Sequence, residues 1–327
     1  MEKIKNKIAN FWELTRAYSV LISIAPWFVA LCWSITYKPS IFDVFLTFVG
    51  IICVHLGTNL LDDVVDVLRE LKDGKTMQTI NFGKVSAKAR LILNNTFSIK
   101  KCFATIGILY LIAVSIGIYF TLKTGVQIPI IAIIAGILCI FYPIATSFYL
   151  GEIAIATIFG PLIMSGTFMA LTGIWSTKIV IFSISVACAI ITLLHAHALM
   201  DWEFDTERGK KTLCTLFKTK QNALKTLIAI ILIAYTNVVV FVALGFINPK
   251  LLLTFLALPI AIKLIKSLDD YINIKDVAFE PKWWMGPMED WDKIKQGNMA
   301  FFMYRFYLAR NFGFVFCFIA GLACYLG

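Results

Sequence analysis

Long apolar runs punctuated by short polar or charged stretches organise this chain. A run of roughly 17 to 25 residues is long enough to cross a bilayer as a helix. Such runs fall at 17–36, 41–61, 102–121, 126–142, 152–174, 178–200, 223–245, 249–265 and 300–326. The pattern predicts an all-α polytopic membrane protein with nine transmembrane helices. Pro26, inside the first span, predicts a kink unless neighbours satisfy the carbonyl it frees. Two polar stretches are too long for simple turns. The first, 62–101, is charged, and long loops in compact proteins are usually functional. The second, 267–299, contains FEPKWWMGPMEDW at 279–291. Tryptophan favours the bilayer interface, so 267–299 is predicted to be a cytoplasmic interfacial insertion between spans eight and nine of a single transmembrane domain, 1–327.

Composition removes the soluble alternative. With 59% hydrophobic and 15% charged residues over 327 positions and a mean hydropathy of +0.81, the chain falls well short of the roughly 25% charge of a soluble domain. The basic residues orient it, because cytoplasmic loops hold the excess of Lys and Arg. Four lie on the leading segment, eight in 62–101, six from Arg208 to Lys225 and six from Lys263 to Lys295. The loops on the other side hold Lys38, Lys123, Lys178 and Lys250. This predicts an amino terminus inside and a carboxyl terminus outside a bacterial-type inner (plasma) membrane. The net charge of +10 is accounted for by that asymmetry and by anionic lipid headgroups, with no nucleic-acid partner. The eight cysteines include no C-x-x-C pair, so neither a disulfide framework nor a zinc site is indicated. No cleavage site precedes the first span, so no removable signal peptide is expected.

Two polar clusters carry the candidate chemistry, each where an apolar run ends on the cytoplasmic side. In GTNLLDDVVD, residues 57–66, a helix places Asn59, Asp62, Asp63 and Asp66 within an arc of about 100°. Three like charges on one face need a cation. In HALMDWEFDTERGKKT, residues 197–212, His197, Asp201 and Asp205 recur at i, i+4 and i+8 on one face. Two acidic helix ends facing each other would hold Mg²⁺ against a diphosphate, because Mg²⁺ takes a few carboxylates and completes its octahedron with water and phosphate oxygens. The likeness of the clusters suggests a pseudo-repeat of helices around a central cavity. Arg90, Lys88, Lys210 and Lys211 are the cations placed to reach an anionic substrate. Tyr142 and Glu152, flanking the basic-free turn between spans four and five, are further substrate-binding candidates. A first-turn role at the helix dipole is the alternative for Glu152.

At these clusters the chain resembles the UbiA superfamily of intramembrane prenyltransferases, and in several stretches its 1,4-dihydroxy-2-naphthoate polyprenyltransferase branch. Gly57-Thr-Asn-Leu-x-Asp-Asp-x-x-Asp66 follows that branch's G-T-N-L-x-N-D-x-x-D, with Asp62 where Asn is usual. Arg90, Asn95 and Ser98 keep the spacing of R-x-x-x-x-G-x-x-S, with Asn for Gly. Gly151-Glu152, Phe159-Gly-Pro161, Gly166-Thr167 and Thr172-Gly173 fit the G-E, F-G-P, G-T and T-G series. Asp201, Asp205, Gly209 and Thr212-Leu213 fit D-x-x-x-D-x-x-x-G-[RK]-x-T-L. The departures are His197 for the usual Asn, Ala87-Lys88 for the G-P ahead of Arg90, and 267–299, which matches nothing in the pattern.

The resemblance implies Mg²⁺-dependent transfer of a polyprenyl group from a polyprenyl diphosphate to an aromatic acceptor, 1,4-dihydroxy-2-naphthoate in menaquinone biosynthesis. Asp63, Asp66, Asp201 and Asp205 would be the metal ligands, with help from Asn59 and Asp62. His197 is either a base for a ring hydroxyl or a hydrogen-bonding group in place of the usual amide. Another acceptor, or a terpene cyclase supported by the D-D-x-x-D run at 62–66, stays open within the superfamily. The competing class is a cation-coupled transporter, since intramembrane carboxylates also mark ion pathways.

Overall fold

The computed structural model describes residues 2–73, 89–94, 96–207, 209–274 and 279–326. Among them there are helices and no strand, and nine helices are long and apolar enough to cross a membrane: Ala17–Tyr37, Ile41–Lys72, Ile99–Thr124, Gln127–Ala145, Gly151–Thr172, Thr177–Met200, Lys220–Ala243, Pro249–Ile272 and Ala300–Tyr325. The all-α, nine-span expectation is met. Two bounds lie more than three residues from the ends of the apolar runs. The second span continues to Lys72 because Leu60, Val64 and Val67, all fully buried, extend its inner face at helical spacing past the carboxylates. The first acidic cluster therefore lies inside a helix rather than at its end. The eighth span reaches Ile272 for the same reason, with Ala261, Leu264 and Leu268 buried, so residues 267–272 belong to it and not to the insertion.

The chain groups into two compact units, Met1–Ile24 with Pro39–Pro143 and Ala170–Gly173, and Ala25–Lys38 with Ile144–Met169 and Ile174–Gly327. The first span passes from one to the other one residue before Pro26.

In the first unit, spans two and three pack along their length. A Cβ at Gly57 would stand 3.0 Å from the Tyr110 ring, so the glycine lets that ring lie against the backbone, and the Tyr110 hydroxyl meets Thr58 Oγ1 at 3.1 Å. At the end remote from the carboxylates, Ser40 caps span two by accepting the Asp43 N–H at 3.1 Å. There the buried Asp43 carboxylate is held by the Ser40 and Tyr119 hydroxyls and the Lys123 ammonium.

In the second unit, span six is the hub, buried on nearly every side. The fifth span widens into a π-helical turn at Ile158–Leu162 around Pro161. A Cβ at Gly160 would lie 2.7 Å from the Ser183 carbonyl oxygen and 2.6 Å from Ala187 Cβ, so only glycine permits this approach of spans five and six. Asn237 of span seven donates to Ser185 Oγ at 2.8 Å and to the Ile181 carbonyl at 3.0 Å, polar links that carry weight where no water competes.

The Trp-rich segment is strapped to the last span. Met285 is buried, its carbonyl accepts from Asn311 Nδ2 at 2.8 Å, and that amide also bonds the Pro287 carbonyl at 3.0 Å. Arg310 pairs with Glu289 at 2.9 Å and lies over the Tyr307 ring. The buried Arg305 donates to the Ser267 carbonyl at 2.8 Å and sits between the rings of Tyr271 and Phe279. Partial burial pushes the Glu289 carboxyl up, but the Arg310 guanidinium outweighs it and leaves the pKa below the usual glutamate value. A carboxylate lowered in this way stabilises the docked strap above its unfolded pKa and loses that contribution as pH falls through the folded one. Acidification below about 4.3 is expected to lower the protection of the amides over 283–296, relative to unstructured chain at the same pH, and Glu289→Gln to abolish that loss of protection. Equal acid sensitivity in the variant would place the effect on another group.

Candidate active site

The first cluster meets its cation within the first unit. Arg16, at the turn between the leading helix Glu2–Leu14 and the first span, takes a left-handed backbone (φ 50°). Its guanidinium reaches span two, with Nη2 3.3 Å from Asp62 Oδ2 and Nε 3.3 Å from Asp63 Oδ2. Nη2 also donates to the Asn59 carbonyl at 3.2 Å and to its Oδ1 at 3.4 Å. Burial lowers the Arg16 pKa, but Asp63 and then Asp62 outweigh it and the net shift is upward. The Asp63 side chain is 1% exposed, a carboxylate that stays charged in apolar surroundings only beside such a partner. Asp66 turns toward Arg69, 3.7 Å away, and Arg69 also donates to the carbonyl of Pro143. The neighbouring Tyr142 lies close enough to Arg16 to act on it electrostatically.

Behind this cluster runs a hydrogen-bonded chain. Asn59 Nδ2 donates to Ser19 Oγ at 3.0 Å, and Ser19 donates its single proton to the Arg16 carbonyl at 2.8 Å. His55 Nε2 stands 2.9 Å from the same Ser19 Oγ, and its Nδ1 stands 2.7 Å from Ser23 Oγ. With the Ser19 proton committed to Arg16, Nε2–H is the donor to Ser19, and Nδ1 accepts from Ser23. The histidine one turn before Asn59 thus holds both the amide and the Arg16 backbone in register with the carboxylates.

The second cluster lies in the second unit. His197 Nε2 is 3.2 Å from Asp201 Oδ2, as the i, i+4 spacing predicts, and its ring meets Phe302 and Phe306 edge-on. Span six ends at Met200, and a separate helix, Trp202–Glu207, follows. Backbone bonds from Asp201 to His197 and from Asp205 to Asp201 carry the helical path through the break. Asp205, 1% exposed, pairs with Lys210 Nζ at 3.6 Å. Lys211 instead lies over the rings of Phe148 and Tyr149. His195 points away from this face, buried against the Ala223 carbonyl at 2.9 Å and the Cys214 thiol, which burial pushes up.

Several predicted residues take unexpected partners. Arg90 forms a bidentate pair with Glu13 of the leading helix, both bonds 2.8 Å. Glu152 is buried, and its Oε1 accepts the Leu213 N–H at 3.0 Å. Lys88 and Asn95 lie outside the described residues. Sequence reasoning missed Arg16, which reads there as one more basic residue of the leading segment, and missed Arg69, Ser19 and Glu13. The only available signal was that Arg16 stands at the mouth of an apolar run.

No group of three or more His, Cys, Asp or Glu side chains is close enough to hold a metal among the described residues. The donor set nevertheless suits Mg²⁺, which needs one or two carboxylates per ion and takes its other ligands from water and phosphate. Each cluster offers hard carboxylate oxygens, with Asp63 and Asp205 almost fully buried.

Comparison with known proteins places the whole chain rather than its individual side chains. The model of the UbiA prenyltransferase family matches residues 23–284. The chain is 24% identical over 262 residues to the 1,4-dihydroxy-2-naphthoate octaprenyltransferase of Bacillus subtilis (strain 168), covering 78% of this chain and 81% of that one. Among solved structures, that of a digeranylgeranylglyceryl phosphate synthase is similar with a TM-score of 0.65 at 15% identity, all of both chains being covered. A UbiA homologue from Archaeoglobus fulgidus bound to GPP and Mg²⁺ is similar with a TM-score of 0.61 at 14% identity over 97% of this chain and 100% of that one. At such identity the structural likeness establishes the fold, and the family model, matched over most of the length, establishes more: the chain belongs to the UbiA prenyltransferase family and is an integral membrane prenyltransferase.

Proposed function

We propose that this protein transfers a polyprenyl group from a polyprenyl diphosphate to 1,4-dihydroxy-2-naphthoate in menaquinone biosynthesis, with Mg²⁺ as cofactor and the active site on the cytoplasmic side of a bacterial-type inner membrane. The observation that carries the reading is that each of two carboxylate clusters on an apolar helical frame already has a basic side chain beside it, Arg16 at Asp62 and Asp63, Lys210 at Asp205. That is the charge pattern a metal–diphosphate complex needs. The naphthoate acceptor is supported by the B. subtilis relative, Mg²⁺ by the A. fulgidus homologue bound to GPP and Mg²⁺, and the orientation by the excess of Lys and Arg in one set of loops.

Asp63 and Asp66 would hold Mg²⁺ at the first cluster, and Asp201 and Asp205 at the second. When bound, the metal neutralises the diphosphate and stabilises it as a leaving group. Arg16 at the first cluster and Lys210 at the second each stand beside the carboxylates, where a phosphate oxygen on the metal would meet a positive charge. The allylic C–O bond would break with its electron pair going to the diphosphate, and the allylic cation must be kept from water until the acceptor attacks. The carboxyl-bearing ring carbon attacks, and CO₂ leaves in place of a proton, restoring the aromatic ring. Asn59, fixed by Ser19 and His55, keeps Arg16 aligned during this step.

His197, with Nε2 3.2 Å from Asp201 Oδ2 and its ring edge-on to Phe302 and Phe306, is built as an orienting group for that carboxylate. Asparagine preserves a donor to Asp201, so His197→Asn is expected to keep turnover within about threefold, whereas a base would lose about 10²-fold or more. Steady-state rates of the two proteins decide between these.

The function is tested by incubating membranes containing the protein with Mg²⁺, a labelled polyprenyl diphosphate and a panel of aromatic acceptors, then identifying the lipid product. Prenylated naphthoquinol that disappears with EDTA and returns with Mg²⁺ is expected. A product from another ring would replace the acceptor, a cyclised hydrocarbon formed without acceptor would indicate a cyclase, and metal-independent product would overturn the mechanism.

A further inference from the structure

We propose that Glu152 is a positioning residue that docks the basic loop 209–213 onto the start of span five and thereby aims Lys210 at Asp205, rather than a residue that touches the acceptor. The inference rests on the proposed use of a prenyl diphosphate. Glu152 is 6% exposed, and its Oε1 accepts the backbone N–H of Leu213 at 3.0 Å, across 61 residues of chain. Four further contacts fix the loop. Gly209 turns it with a φ of 64°. The Lys210 N–H donates to the Asp205 carbonyl at 2.8 Å. Thr215 Oγ1 donates to the Lys210 carbonyl at 2.9 Å, within a reciprocal cap between Thr212 and Thr215. The Lys211 ammonium lies over Phe148 and Tyr149, in the turn that leads into Glu152. Span five and the turn leading into it therefore grip the loop at two points, one on either side of Thr212. Of the two adjacent lysines, Lys211 is held on the aromatic turn, and Lys210 is left facing the carboxylate, 3.6 Å from Asp205 Oδ2. A loop secured in this way presents one ammonium to an anion at a set place, which lowers the cost of ordering it when the anion binds.

The test separates positioning from substrate contact. Glu152→Ala removes the acceptor of the Leu213 N–H. Glu152→Gln keeps an acceptor oxygen at the same reach. Leu213→Pro removes the donor with Glu152 intact, and proline suits this first position of the Leu213–Leu216 helix, whose preceding Thr212 is already extended (φ −120°, ψ 164°). With geranyl diphosphate, Mg²⁺ and 1,4-dihydroxy-2-naphthoate, Glu152→Ala and Leu213→Pro are each expected to raise KM for the diphosphate about tenfold and to leave KM for the naphthoate unchanged. The double variant should be no worse than either single one, and Glu152→Gln should stay near wild type. Amide exchange over 209–216, which needs no turnover, is expected to accelerate in Glu152→Ala and Leu213→Pro and not in Glu152→Gln. A raised KM for the naphthoate in both Glu152 variants would assign Glu152 to the acceptor and overturn the proposal. Unchanged exchange and KM in Glu152→Ala would overturn it too. If the wild type turns over no acceptor, the proposed function fails, and the exchange measurement still decides the docking.

Discussion

Asp63→Ala and Asp201→Ala are each expected to lower prenyl transfer by about 10³-fold or more, the scale of removing a group that stabilises developing charge, while the protein still inserts and folds. One variant strikes each cluster. Asp63 is nearly fully buried beside Arg16, and Asp201 Oδ2 stands 3.2 Å from His197 Nε2. Loss of either carboxylate takes away an oxygen that a hard cation needs and leaves the apolar packing of its span intact. Turnover should be measured against the amount of protein extracted from membranes and against its thermal unfolding, so that a folding defect is not read as a chemical one. Near-normal turnover in both variants would refute the two-cluster mechanism.

Arg16 yields the second large effect, and of a different kind. Its removal leaves Asp62 and Asp63 adjacent, like-charged and secluded, and breaking one side of a buried pair costs about 3–5 kcal/mol. The figure is an upper bound here because the Arg16 side chain keeps 16% of its exposure. Arg16→Gln is therefore expected to unfold at lower temperature without Mg²⁺ and to be rescued by Mg²⁺ more strongly than the wild type, since the metal then meets one competitor fewer at these carboxylates. Its turnover should fall even at saturating Mg²⁺, because the guanidinium is no longer there to bind diphosphate. A Mg²⁺-dependent rise in Tm no larger than that of the wild type would show that Arg16 and the metal do not share the carboxylates.

Much of the membrane architecture can be read in one dimension. Among the described residues, the nine apolar runs become nine helices long and apolar enough to span, because a segment in a bilayer must satisfy its own backbone hydrogen bonds, a requirement met locally. The carboxylates of both clusters stand out for a related reason, since charge in an apolar run is costly enough that it is kept only with a partner. Where the reading of span ends falls short, the polar residues misled it: Asp62, Asp63 and Asp66 end the apolar run, yet Leu60, Val64 and Val67 on an adjoining face continue the helix to Lys72. The need for a cation at the first cluster was legible, but its source was not. Mg²⁺ was expected, and within the protein itself the charge beside Asp62 and Asp63 belongs to Arg16.

What the sequence by itself determined is thus the all-helical membrane class, the number of spans, the acidic residues and the family signature they carry, together with the His197–Asp201 pair. These are set by composition, by helical period or by spacings of at most a few turns. What only the tertiary structure decided is which side chain answers which. Arg16 reaches Asp62 across 46 residues, Arg90 goes to Glu13 across 77, and Glu152 goes to the Leu213 amide across 61. The physical reason is that a charged side chain takes whichever opposite charge or bare amide the packed helices bring within about 3 Å, and that choice has no period along the chain from which it can be read.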